Sequence, residues 1–161
     1  MEGHKILAIA VASGRVGYVC LKDDQLLEWG ITVKASKNTN EIVAYVQELI
    51  RAETPDVVVT EKCGKKCRKG KKSRKLINAI TEIASHNELL DISVERVQHF
   101  RSKYEEADAL VTRFPDLIGY LPERKRRIFE FEPRNMIIFE ALSMAEQVRS
   151  GPPEALAAAM G

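Results

Sequence analysis

Apolar residues come in short β-rich blocks over the first third of the chain, then at helical spacing interrupted by two more such blocks. Ile6 to Val11 is a continuous apolar run closed by the turn pair Ser13-Gly14. Val16 to Leu21 is a second run, closed by Asp23-Asp24, and Leu26 to Val33, with Trp29, is a third. Connections this short join antiparallel neighbours, because a parallel pair needs a long crossover. Asn40 is placed to cap a helix in which Ile42, Val43, Val46, Leu49 and Ile50 share one face. Pro55 interrupts that pattern, and Val57-Val58-Val59 opens a fourth strand running into Glu61. Leu76, Ile77, Ile80, Ile83 and Ala84 mark a second helix, and Ile92 to Val97 a fifth strand. Ser102 caps a helix bearing Tyr104, Ala107, Leu110, Val111 and Phe114. A polar, basic connection from Pro115 to Glu130 leads to a last helix over residues 134–149, ended by Gly151-Pro152-Pro153.

The order β-β-β-α-β-α-β-α-α predicts one α/β domain over residues 1–150. Its sheet is mixed and five-stranded: strands 1–3 form an antiparallel meander, strands 4 and 5 are parallel, and helices cover both faces. The alanine-rich residues 151–161 are expected to be a flexible tail.

A chain of 161 residues is long enough to bury a full core, and 45% hydrophobic with 30% charged residues is an ordinary globular composition. No apolar run is long enough to span a bilayer, and the first five residues lead into strand one without a signal-peptide core. Three cysteines, an odd number, predict reduced thiols and a cytoplasmic setting. Cys63 and Cys67 could form half of a zinc site, but no second Cys/His pair lies at suitable spacing, so free thiols are expected. Their lysine neighbours would favour the thiolate and make both prone to oxidation.

Charge changes the picture most. Nine of the fourteen residues from Lys62 to Lys75 are Lys or Arg and none is acidic. The whole chain is only +2, so the remainder sums to −7, with 16 basic against 23 acidic residues. A positive field concentrated in this way attracts a polyanion. Lys62, Lys65, Lys66, Arg68, Lys69, Lys71, Lys72, Arg74 and Lys75 are therefore candidate nucleic-acid contacts. No aromatic interrupts the segment, which points to phosphates rather than stacked bases. Glu61 stands immediately before it. Glu140 follows Ile137, Ile138 and Phe139 on a helix that is apolar nearly all round, where a carboxylate is costly unless paired or facing a cleft. Gln98 and His99 end strand five, at the same sheet edge as Glu61.

The element order together with four stretches, ILAIAVASGRVGYVCL (6–21), LLEWGI (26–31), PDVVVTEKC (55–63) and RFPDLIGYLPERKRRIFEFEPRNMIIFEALSMA (113–145), resembles the RNase H-like superfamily. Within it the chain is most similar to RuvC-like Holliday junction resolvases and their bacterial relatives. The resemblance implies two-metal phosphodiester hydrolysis, with Mg²⁺ or Mn²⁺ held by carboxylates from strand one, the end of strand four and the last helix. Glu61 and Glu140 match the strand-four and last-helix positions as catalytic, metal-binding residues, and Glu132, near the start of the last helix, is a candidate substitute as a third ligand that matches no family position. At the strand-one position stands Ala10, and one turn before Glu140 stands Ile137, neither of which can hold a cation.

Two functional readings follow. One is a metal-dependent endonuclease acting on branched DNA, weakened or inactive for want of the strand-one aspartate, since carboxylates in such sites act as a unit. The other is a non-catalytic module that binds DNA or RNA through residues 62–75. The resemblance also implies a homodimer, because a four-way junction offers two symmetric sites.

Overall fold

The computed structural model describes residues 3–63, 67, 69–96, 100–121 and 135–150. The strands are β1 (Lys5–Ala12), β2 (Arg15–Lys22), β3 (Gln25–Thr32), β4 (Val57–Glu61) and β5 (Leu90–Val94). The α-helices are α1 (Thr39–Glu53), α2 (Lys71–His86), α3 (Lys103–Arg113) and α4 (Met136–Ser150), with short 3-10 segments at Lys34–Ser36 and Pro115–Tyr120. Strand order is β3-β2-β1-β4-β5. β1 pairs antiparallel with β2 and β2 with β3, whereas β1–β4 and β4–β5 are parallel. The expected mixed five-stranded sheet is thus present.

Side-chain alternation along the central strand divides the core. Leu7, Ile9 and Val11 face α1 and α2, joined by Val58 and by Ile42, Val46, Ile77 and Ile80. Ile6, Ala8 and Ala10 face the other way, under α3 and α4, with Val57 and Val59. Because β1 and β4 are covered on both sides, their apolar runs are continuous rather than alternating. Ser13-Gly14 forms the two-residue turn that pairs Ala12 with Arg15, and Gly14 takes the left-handed φ of +80° that such a turn needs.

Three boundaries differ from the sequence expectation. The cap of α1 is Asn38, not Asn40: its side-chain oxygen accepts from Glu41 N at 2.9 Å. Asn38→Ala is expected to lower unfolding free energy by about 1 kcal/mol, whereas Asn40→Ala should leave it within about 0.5 kcal/mol, as read from urea midpoints. β5 spans 90–94 rather than 92–97, because its register follows β4, pairing Val57 with Leu90 and Glu61 with Val94. α2 begins at Lys71, so the last third of the basic segment is helical. Residues 151–161 lie outside the described residues. Among the described residues no helix is long and apolar enough to cross a membrane.

Candidate active site at the end of strand β4

Val57, Val59 and Glu61 point to the α3/α4 face of the sheet, the face that also carries Ala10 on the neighbouring strand. The ladder continues one residue beyond β4, with Lys62 N donating to Val94 O at 2.7 Å, which fixes the backbone on which Glu61 is mounted. Glu140 reaches the same place from α4. The Lys69 ammonium lies between the two carboxylates, 3.9 Å from Glu61 Oε2 and 3.7 Å from Glu140 Oε1, and also donates to Val11 O at the end of β1.

The charges alternate outward from there. Arg96 Nε is 3.9 Å from Glu140 Oε1, and Arg96 Nη2 is 3.5 Å from Glu106 Oε1 on α3. Glu106 Oε2 in turn accepts from Ser143 Oγ at 3.3 Å. A strand-end and a helical carboxylate brought together would repel each other, and the interleaved lysine and arginine make the arrangement tolerable. Burial pushes the Glu61 carboxyl above the ordinary carboxylate range; Lys69 opposes this, Glu140 adds to it, and Arg96 and Lys103 oppose it.

The β1 side of the site is hydrocarbon. Ala10 pairs across the hairpin with Gly17, and Ile137 packs so closely on Gly17 that an added Cβ would meet its Cγ2 at 2.7 Å. Both Ala10 and Ile137 are buried. A pair of hard divalent ions needs several convergent oxygen donors. The described residues offer two carboxylates with an ammonium between them and an apolar wall opposite, and they do not fit such a pair. Glu132, the expected third ligand, lies outside the described residues, as do Gln98 and His99.

The basic segment divides into two groups. Lys62, Lys71, Lys72 and Lys75 are exposed, the last three around the N-terminal turns of α2. Lys69 and Arg74 instead turn inward: Arg74 donates to Cys67 O at 2.9 Å and to Lys69 O at 3.1 Å, tying the loop to the helix. Lys65, Lys66 and Arg68 lie outside the described residues.

Free thiols were expected at Cys63 and Cys67, but the two are joined as a disulfide, their Cα atoms 4.9 Å apart across the loop. Both sulfurs face Glu61 Oε2, at 3.8 and 3.7 Å. Cys20 remains a free thiol, buried in the core and pushed up to about 11 by that burial.

Sequence reasoning missed the inward role of Lys69, which nothing distinguishes from its eight basic neighbours, and the contributions of Arg96 and Ser143. Glu106 did leave a signal. It lies four residues before Leu110, on the apolar stripe of α3, where an unpaired carboxylate would be expensive.

No family model and no curated protein sequence matches the chain. Solved structures do. The chain is similar to Thermus thermophilus RuvC in complex with Holliday junction substrate, at 15% identity and TM-score 0.59, covering 92% of this chain and 96% of that one. It is similar to the fowlpox virus resolvase in complex with substrate Holliday junction DNA, at 14% identity and TM-score 0.61, covering 91% and 99%. The yeast mitochondrial Holliday junction resolvase matches at 12% identity and TM-score 0.54, covering 92% and 80%. The mixed sheet, its strand order and these alignments over nearly the whole chain identify the fold as the RNase H-like fold of the RuvC, poxvirus and mitochondrial Holliday junction resolvases.

Proposed function

We propose that this chain is a nucleic-acid-binding protein on the resolvase fold, one that grips branched DNA through its basic segment without using a divalent ion. The observation that carries this reading is the Lys69 ammonium seated between Glu61 and Glu140, where it takes the place between the carboxylates and offsets one of their two charges from within the chain. The apolar contact of Ile137 on Gly17 supports the same conclusion from the other side of the site. Exposed Lys62, Lys71, Lys72 and Lys75 supply phosphate contacts, and the α2 N-terminus adds a partial positive charge of about one half. Four-way DNA is the preferred candidate ligand because two of the similar resolvases are described in complex with it. The reading places the protein in a reducing cytoplasm, with structured RNA as a competing ligand and a second copy across the junction's two-fold.

Binding to a four-way junction is expected to fall with salt at a log–log slope of roughly −0.9 per phosphate contacted. Chelator and Glu61→Gln should leave affinity unchanged. Lys71→Gln with Lys72→Gln should flatten the slope by about 2. A titration showing no salt dependence, or no binding, would discard the proposal.

A second reading, a Mg²⁺- or Mn²⁺-dependent endonuclease, is favoured by one fact: residues from β4 and α4 bring two carboxylates within reach of a single cation. Junction cleavage that needs added Mn²⁺ and disappears in Glu61→Gln would replace the binding module with this enzyme.

A further inference from the structure

Glu61 has a second set of neighbours that the nucleic-acid reading does not use. Its Oε2 and the two sulfurs of Cys63 and Cys67 lie within 4.8 Å of one another, all three half-buried at the root of the basic segment. We infer that, once Cys63 and Cys67 are reduced, they form with Glu61 a soft-cation site that holds Zn²⁺.

The spacing is the first argument. A tetrahedral zinc with Zn–S of about 2.3 Å and Zn–O of about 2.1 Å holds sulfur and oxygen about 3.6 Å apart. The two observed Sγ–Oε2 distances are 3.8 and 3.7 Å, so two of the three ligand–ligand edges are already set. Only the sulfur–sulfur edge must open, to about 3.8 Å, which side-chain rotation supplies once the bond between them is broken.

The second argument is support. The ligand loop is held at both ends, by Lys62 N donating to Val94 O at 2.7 Å and by Arg74 Nη2 donating to Cys67 O at 2.9 Å. Ligands fixed in this way lose little freedom when an ion arrives.

Charge is the third. Zinc with two thiolates and a carboxylate carries a net −1, and its two thiolates belong to a segment, residues 62–75, whose sequence holds nine basic residues and no acidic one. Lys69 would keep Glu140 and Val11 O as partners while Glu61 turned to the ion. Water would take the fourth position.

The redox and proton changes balance. A dithiol reductant gives two electrons and two protons to the Cys63–Cys67 disulfide and becomes a disulfide itself. Zinc then releases the two thiol protons to solvent on binding. In a reducing compartment the dithiol is the resting form, so oxidation would expel the ion.

The test uses the full chain with no nucleic acid present, so its failure leaves the DNA reading standing. The reduced, desalted protein is expected to retain one equivalent of zinc by metal analysis. With cobalt as substitute it should show thiolate-to-metal charge-transfer absorption. Cys63→Ser with Cys67→Ser should abolish both signals, and Glu61→Gln should weaken zinc at least tenfold. Zinc should also protect both thiols of the unmutated chain from alkylation, a readout that does not depend on how the variants fold. Failure of the reduced, folded chain to take up zinc stoichiometrically, or a cobalt spectrum without the thiolate band, overturns the assignment and leaves a plain disulfide.

Discussion

Gly17→Val is expected to cost about 3 kcal/mol of stability, seen as a lower urea midpoint with an unchanged slope. The position is opposite Ala10 on the hairpin, and α4 packs directly on it. A Cβ there would stand 2.7 Å from Ile137 Cγ2, 3.0 Å from its Cγ1 and 3.2 Å from its carbonyl carbon. The side-chain atoms could turn away, but the backbone atom moves only if the helix retreats from the sheet. Gly17→Ala should cost less, about 1–2 kcal/mol, and combining it with Ile137→Ala should give a total smaller than the two separate losses. Additive losses would mean that α4 does not owe its depth to the missing side chain. The same retreat would carry Glu140, one turn along α4, away from Lys69, so the stability of the packing and the geometry of the site are linked at this glycine.

Lys69→Met should remove about 2 kcal/mol at neutral pH, less than the 3–5 kcal/mol of a fully buried broken pair because the site opens partly to solvent. The variant leaves Glu61 facing Glu140 without the cation between them. The direction with pH follows from the Glu61 carboxyl. Burial already raises it in the folded chain, so the folded state holds that proton more tightly than the unfolded state does. The stability this contributes is complete at pH values below the unfolded carboxylate range and is lost as pH rises through the folded value. Removing Lys69, the largest opposing charge, lifts the carboxyl further, so the penalty should be greatest at neutral pH and shrink in acid. Urea midpoints across that range would check the trend, and a penalty constant with pH would refute it.

Manganese separates the two functional readings in the same pair of proteins. In Lys69→Met the two carboxylates are free to share an ion, and Mn²⁺ at a hundred times its Kd should restore about 2.7 kcal/mol. The unmutated chain should gain nothing, because its own ammonium fills that position. An equal gain in both would show that the ion displaces Lys69, and the metal-dependent endonuclease would then be the better account.

Much of the fold was legible in local patterns. The apolar runs from Ile6, Val16 and Leu26, separated by two-residue turns, could pair only as a meander, and β4 and β5 needed helices between them to run parallel. Ser102 announced the start of α3 and does cap it, through Glu105 N at 3.2 Å. Asn40 misled because Asn38, two residues earlier, offers the same chemistry, and only the entry angle of the chain chooses between them. Glu61 stood out by its place at the end of an apolar strand and Glu140 by its apolar helical surroundings, whereas Arg96 and Lys69 gave no sign of their partners.

The order of strands and helices and the faces they bury belong to the sequence alone, because they depend on periodicities of two and 3.6 residues along a short stretch of chain. Which of nine like charges turns inward, and which carboxylates it meets, was decided only by tertiary packing. Lys69 is 58 residues from the Val11 carbonyl it reaches, and no local pattern records a contact made when a sheet and a helix close over it.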